Sequence, residues 1–289
     1  MRKIAHISDL HFGRIDPMVV EALLADIERL RPDLVVISGD LTQRARRSQF
    51  DAARDFLARL PVRHMVVPGN HDIPAFNLFA RFSRPFSAYR HFVSRDLNPY
   101  WQDDEIAVLG LNTARPVILD FAEGRVNRLQ MERAAEVFRE AGHGRFKIVF
   151  THHPFLPPPD APGTRLVGRA RRALAAIEAA GVDLLLAGHL HRAYAGDIMG
   201  HHTHIERSIL VAQASTATST RLRREPNAYN FITIGPPGIE IEVRSWEGAR
   251  FTGGMSSRYE KRGDVWQLVA QDTGLRKVAG GAYHRVRQG

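Results

Sequence analysis

The chain has 289 residues, 44% of them hydrophobic and 25% charged, which suits a packed protein of one large or two small domains and excludes wholesale disorder, a coiled-coil rod or a collagen-like rod. It has no cysteine, so a disulfide framework, an iron–sulfur cluster, a thiolate zinc site and a cysteine nucleophile are excluded within it. Its 40 Lys and Arg against 31 Asp and Glu give a formal charge of +9, which favours a phosphate-bearing or polyanionic partner without specifying one.

The first residues run straight into a short apolar segment and then acid, without the apolar centre and small-residue cleavage site of a secretory signal. No apolar stretch approaches the roughly 20 residues of a membrane-spanning helix. No membrane span is therefore expected, and the default compartment is cytoplasmic.

Strands are predicted over 3–8, 34–39, 64–69, 147–151 and 183–188, runs rich in Val, Ile and Leu that suit strands covered on both faces. Helical spacing of Val20, Leu23, Leu24, Ile27 and Leu30 predicts a helix over 19–30, stopped by Pro32. The scheme recurs over 49–60 before Pro61, over 129–141 before Gly142 and over 169–180 before Gly181. This alternation predicts layered α/β architecture with right-handed crossovers.

Residues 75–104, rich in Phe, Tyr, Arg and Pro, read as a helical insertion over the site, with Phe76, Phe79, Phe82, Phe86 and Phe92 expected to pack inside it and a base-binding pocket as the alternative role. Beyond 194, extended pieces at 203–205, 208–213, 229–234 and 239–246 read as strands of a second sheet without helices between them. One composite domain over 1–246 is the economical reading. Residues 247–289 read as a carboxy-terminal extension: a hairpin from 251–259 and 265–269, then a flexible basic tail.

Five strand ends each deliver residues of metal-ligand type: Asp9 and His11, Asp40, Asn70 and His71, His152 and His153, His189 and His191. The carboxyl ends of strands in an α/β sheet gather on one edge, so these scattered residues can converge. Gly39, Gly69 and Gly188 beside them let the backbone turn sharply and approach closely. Carboxylate oxygen, amide oxygen and imidazole together suit Mn²⁺ or Fe²⁺, with Zn²⁺ the next candidate. Asp9, His11, Asp40, Asn70, His152, His189 and His191 are more donors than one ion takes, which predicts two divalent ions sharing a carboxylate. Only one of the adjacent His152 and His153 should reach them, because neighbours on an extended segment point to opposite sides. His201, His202 and His204 lack matching carboxylates and read as exposed. Arg221, Arg223 and Arg224 read as a solvated loop, with contact to a substrate phosphate as the alternative.

The ordered set Asp9-x-His11, Gly39-Asp40, Gly69-Asn70-His71-Asp72, His152 and Gly188-His189-x-His191 resembles the signature of the calcineurin-like metallophosphoesterases. The resemblance implies a four-layer α/β-β/α sandwich and a dinuclear centre, with Asp9, His11 and His191 on one metal, Asn70, His152 and His189 on the other, and Asp40 bridging. It selects His152 over His153 by position. It also implies a phosphodiester hydrolase in which a metal-bridging hydroxide attacks phosphorus in line, with His71 near the leaving group supplying charge stabilisation or a proton. Asp72 then either orients His71 or serves as a turn or cap residue.

The run Thr151-His152-His153-Pro154 resembles the bacterial class III cyclic-nucleotide phosphodiesterase branch, which favours a small phosphodiester such as a 3′,5′-cyclic nucleotide as substrate. Glycerophosphodiesterases share that appearance. A DNA nuclease of the same superfamily fits the basic balance, but such proteins add a capping region for which little chain remains after Trp246, so nucleic acid ranks lower as a partner. A lipid-A-pathway pyrophosphatase would carry Arg in place of His71, and a protein phosphatase would carry a longer Asp-Arg-Gly block at Asp40. A non-catalytic metal-dependent scaffold is the alternative outside the enzyme class, and a homodimer built on the carboxy-terminal extension is left open.

Overall fold

The computed structural model describes residues 1–116, 123–158, 161–200, 207–221 and 225–272. In chain order, β1 (Arg2–Ile7), α1 (Pro17–Leu30), β2 (Leu34–Ile37), α2 (Arg47–Ala58) and β3 (His64–Val66) make a βαβαβ run. The insertion follows with α3 (Leu78–Ser83), α4 (Ser87–Phe92) and β4 (Tyr100–Gln102). A second alternating run holds β5 (Ile106–Leu111), α5 (Arg128–Ala141), β6 (Phe146–Thr151), α6 (Ala170–Ala179) and β7 (Leu184–Ala187). The chain continues through β8 (Tyr194–Asp197), β9 (Leu210–Gln213), β10 (Ala228–Gly235), β11 (Gly238–Trp246), β12 (Phe251–Arg262) and β13 (Val265–Asp272).

Two mixed sheets result, ordered β13-β12-β11-β10-β1-β2-β3 and β4-β5-β6-β7-β9-β8. Their apolar strands divide their side chains by the period of two that a pleat imposes. In β1 and β2, Ile4, Leu34 and Val36 face the other sheet, where they meet Val108, Ile148 and Phe150. Ala5, Ile7, Val35 and Ile37 face the opposite way, onto the apolar stripes of α1 and α2. In the second sheet Leu109, Val149 and Leu185 pack on α5 and α6 through Ala134, Phe138, Leu174 and Ile177. Helices, sheet, sheet, helices is the four-layer α/β-β/α sandwich.

The late strands depart from expectation. β10 to β13 do not build a separate sheet; β10 pairs antiparallel with β1, setting Asn230 opposite His6, and β11 to β13 extend that sheet outward. The physical reason is the edge of β1 not occupied by β2, which would otherwise leave a row of backbone groups unpaired. The second sheet also holds β5, an apolar run with no candidate ligand at its end, and of the late pieces only β8 and β9 join it. The piece expected at 203–205, the cluster His201, His202 and His204, residues Arg223 and Arg224, and the tail beyond 272 lie outside the described residues.

The aromatic residues of the insertion are the second departure. Phe92 stacks on Phe50, ring centroids 6.0 Å apart, and Phe86 is half-buried. Phe76, Phe79 and Phe82 instead stand in solvent, because the side of α3 turned inward is occupied by Arg81. Among the described residues no helix is long and apolar enough to cross a membrane.

Candidate metal centre

The seven predicted donors come from both sheets and meet at the seam between them. Asp9 and His11 follow β1, Asp40 follows β2, and Asn70 opens a short 3-10 turn, Asn70–Asp72, after β3. His152 follows β6, and His189 and His191 follow β7. Five of them, Asp9, His11, Asp40, His189 and His191, have φ between 53° and 76°, the left-handed region that residues with a Cβ seldom enter. Each such residue costs about 1–2 kcal/mol and persists only where its surroundings over-determine it. Here they do: Asp9 and His11 donate their backbone N–H groups to the carbonyls of Gly39 (3.1 Å) and Asp40 (2.9 Å), while His189 N–H donates to Asp9 Oδ2 (2.9 Å). Gly69 is needed for the same closeness, since a Cβ there would lie 2.1 Å from Asp40 Oδ1.

Two overlapping groups form. In the first, Asp9 Oδ1 lies 3.3 Å from His191 Nε2 and 3.6 Å from His11 Nε2, and the two imidazole nitrogens are 3.3 Å apart. In the second, His152 Nε2 lies 3.1 Å from Asn70 Oδ1 and 3.2 Å from His189 Nδ1. Asp40 Oδ2 faces both, 3.7 Å from His11 Nε2 and 3.4 Å from His152 Nε2. Donors sharing one divalent ion at roughly 2.1 Å stand roughly 3.0–3.4 Å from one another, so the spacing fits. Asp9 Oδ1 is also fully buried without a hydrogen-bond partner, a condition that a cation relieves.

Backbone carbonyls aim the rings. His152 Nδ1–H donates to Ser38 O at 2.7 Å, leaving Nε2 to face Asp40 and Asn70. His71 Nδ1–H donates to Gln43 O at 2.8 Å, leaving Nε2 outward, 3.5 Å from Arg221 Nη1, while the His71 ring stands edge-on to His11 with centroids 4.9 Å apart. Neither Gln43 nor the Ser38 carbonyl carries a sequence signal, since a backbone acceptor is indifferent to residue type. Arg221, expected in a solvated loop, is part-buried and reaches the site. Asp72 does not touch the His71 ring; its buried carboxylate accepts from the N–H groups of Gly69, Leu41 and Thr42, so it ties the loops after β2 and β3 together. His153 departs from expectation: the Thr113 hydroxyl lies 2.7 Å from its Nδ1, yet its ring centroid is 4.8 Å from that of His189 and it offers a ligand atom within 4.8 Å of those of His152 and His189, because the chain bends at 152–153 past the end of β6 and the alternation of a strand no longer separates the neighbours.

Burial alone would lower His152, but the Asp40 carboxylate, reinforced by Asp9, pushes it up to about 9. Burial and the neighbouring His152 push His189 down to about 4. Burial and the Asp40 charge push Asp72 up to about 6. At pH 7.5 the metal-free site therefore holds a proton on His152, below its raised value, that an ion on Nε2 must displace. Loading at about pH 7.5 is expected to release about one proton, and affinity to rise with pH until about 9. Calorimetric titration in two buffers of different ionisation enthalpy checks this; a heat independent of buffer contradicts it.

A family model described as calcineurin-like phosphoesterase matches residues 2–193. The chain is 30% identical over 168 residues to the glycerophosphodiester phosphodiesterase GpdQ of Enterobacter lignolyticus, covering 53% of this chain and 57% of that protein. It is 28% identical over 277 residues to the probable cyclic nucleotide phosphodiesterase RPA0124 of Rhodopseudomonas palustris, covering 84% of this chain and 92% of that one. Among solved structures, purple acid phosphatase PPD1 from yellow lupin (Lupinus luteus) seeds superposes with a TM-score of 0.66 at 12% identity, over 88% of this chain and 53% of that one. A dimetal phosphatase from Danio rerio gives 0.57 at 15% identity, over 87% and 98%. At such identities the structural likeness concerns the fold alone. The chain spans little more than half the length of GpdQ and of the lupin phosphatase.

Proposed function

This chain belongs to the calcineurin-like phosphoesterase family, whose members are metal-dependent phosphoester hydrolases, and we propose that it is a dinuclear phosphodiesterase acting on small diesters, 3′,5′-cyclic nucleotides foremost. The observation that carries the reading is Asp40 Oδ2, one carboxylate oxygen placed 3.7 Å from His11 Nε2 and 3.4 Å from His152 Nε2, hence on the boundary between two donor groups. Asp9, His11 and His191 would hold one ion, Asn70, His152 and His189 the other, with Asp40 shared. Such a pair lowers the pKa of a water, holds a phosphoryl oxygen and offsets charge on attacking and leaving oxygens.

The chain's own groups divide the remaining work. Gln43 O fixes the proton on His71 Nδ1, so Nε2 is the atom that can carry a second proton toward a leaving oxygen. Arg221 Nη1, at 3.5 Å from that nitrogen, can donate to a non-bridging phosphoryl oxygen. Buried Ser38, Thr42 and Asp72 tie the loops that present these groups, so little reorganisation is needed when substrate arrives.

The cyclic-nucleotide choice draws support from RPA0124, a relative matched over 84% of this chain and 92% of its own; the name of GpdQ supports a glycerophosphodiester as the second reading. The test is a substrate panel on protein freed of metal by chelation and reloaded with Mn²⁺. Release of AMP from 3′,5′-cyclic AMP is expected to exceed release of glycerol 3-phosphate from glycerophosphodiesters and nicking of DNA. A reversed order displaces the substrate assignment, and no turnover of bis(p-nitrophenyl) phosphate by folded, loaded protein favours a scaffold.

A further inference from the structure

A surface helix ordinarily turns its apolar side inward. In α3 the arrangement is inverted: Arg81 is 1% exposed, whereas Leu78, Phe79 and Phe82 are 55%, 83% and 56% exposed, with Phe76 just ahead at 75%. The orientation is held by a clasp, since Arg81 Nε donates to Pro116 O at 2.8 Å and Nη1 to Pro74 O at 3.1 Å. Four large apolar side chains within seven residues thus stand together in water, an unfavourable patch unless something covers it.

The surroundings say what kind of cover fits. Residues 73–95 contain four Arg and one His and no Asp or Glu. Beside Phe76 lies a cavity of about 810 Å³ walled by Arg44, Arg46, Arg47, His91 and Phe92 among others, with no carboxylate among the described residues that line it. Among the described residues none of those three arginines has an ion-pair partner, whereas Arg54 on the neighbouring helix is held by Asp51 and Asp55. Arg44 and Arg47 lie instead over the rings of Phe76 and Phe92, at 5.3 and 5.9 Å. Arg84 and Arg90 border an adjoining cavity that likewise has no acid among its described lining residues. A second copy docked face to face would bring one unpaired cationic collar against another, which like-charge repulsion opposes.

We propose that α3 and its arginine collar form a docking surface for an anionic lipid bilayer, with Phe76, Leu78, Phe79 and Phe82 entering the headgroup boundary and the arginines meeting lipid phosphates. The surface adjoins the metal centre along the chain: Arg44 follows Gln43, whose carbonyl holds His71, and Pro74 follows the turn Asn70–Asp72 closely. The inference stands apart from the hydrolase reading, because lipid binding needs no turnover.

The test is flotation of the full chain with vesicles of phosphatidylcholine, alone or containing about a third phosphatidylglycerol. Binding to the anionic vesicles is expected, falling with added salt and falling roughly tenfold or more in Phe79→Ser/Phe82→Ser and in Arg44→Gln/Arg47→Gln. Thermal melting and turnover of bis(p-nitrophenyl) phosphate should stay unchanged in the phenylalanine variant, since neither ring touches the core or the metal centre. No binding by the unmodified chain, or equal binding by both variants, overturns the proposal. A concentration-dependent dimer that Phe79→Ser/Phe82→Ser dissolves also overturns it, assigning the patch to a second copy.

Discussion

Asp40→Asn is expected to reduce bound metal from about two ions per chain to none and to lower phosphodiester turnover by roughly 10³-fold or more, about 4 kcal/mol of transition-state stabilisation. Asp40 Oδ2 faces both donor groups, so loss of its charge removes the one anion common to them. Asparagine is the better substitution than alanine for two reasons. Asp40 has φ of 54°, a conformation that Asn tolerates and Ala resists. Its other oxygen, Oδ1, accepts from His71 N–H at 2.8 Å, a bond that an amide oxygen can keep, so the loop carrying His71 stays in place. A second readout separates charge from folding: because the Asp40 carboxylate is what lifts His152, the histidine should titrate well below about 9 in the metal-free variant. Elemental analysis showing one ion retained at full occupancy would contradict the shared position of Asp40, and an unchanged His152 titration would contradict the electrostatic account.

The candidate donors were legible because their signal is local. An apolar run that ends abruptly in Asp, Asn or His can be read from a dozen residues, and five such ends select one family's pattern. What holds those donors could not be read the same way. The left-handed backbone at His11 and His191 is imposed by neighbours remote in sequence, as when His11 N–H meets Asp40 O. The proton position on His71 depends on the Gln43 carbonyl, which no side chain announces. Strand partnership is equally non-local. β10 reads as a strand from its own residues, but that it lies beside β1, more than 200 positions away, follows only from the free edge of that strand. In the insertion, local reading misleads in part: a cluster of phenylalanines ordinarily means a core, and only the clasp of Pro74 O and Pro116 O on Arg81 reveals that Phe76, Phe79 and Phe82 face outward.

His71→Ala separates catalysis from metal holding. Both ions are expected to remain, since the predicted donors meet without His71, while turnover of 3′,5′-cyclic AMP falls about 10²–10⁴-fold, the range of a lost general acid. The leaving group decides between the two roles open to the imidazole. A ribose oxygen is a poor leaving group and must gain a proton as its bond to phosphorus breaks, whereas p-nitrophenolate departs readily as an anion. If His71 Nε2 donates a proton, the variant should lose only about tenfold or less on bis(p-nitrophenyl) phosphate while losing far more on the cyclic nucleotide. If the ring only offsets charge on phosphoryl oxygens, both substrates should suffer alike. The position favours donation: Nδ1–H is committed to Gln43 O at 2.8 Å, so the second nitrogen points outward and is the ring's exchangeable site. Gln43→Ala is a useful companion, because the acceptor on His71 Nδ1 is the backbone carbonyl and survives the substitution; its loss should be small beside that of His71→Ala. Equal metal depletion in His71→Ala and Asp40→Asn would make His71 a ligand and end its assignment as the proton donor.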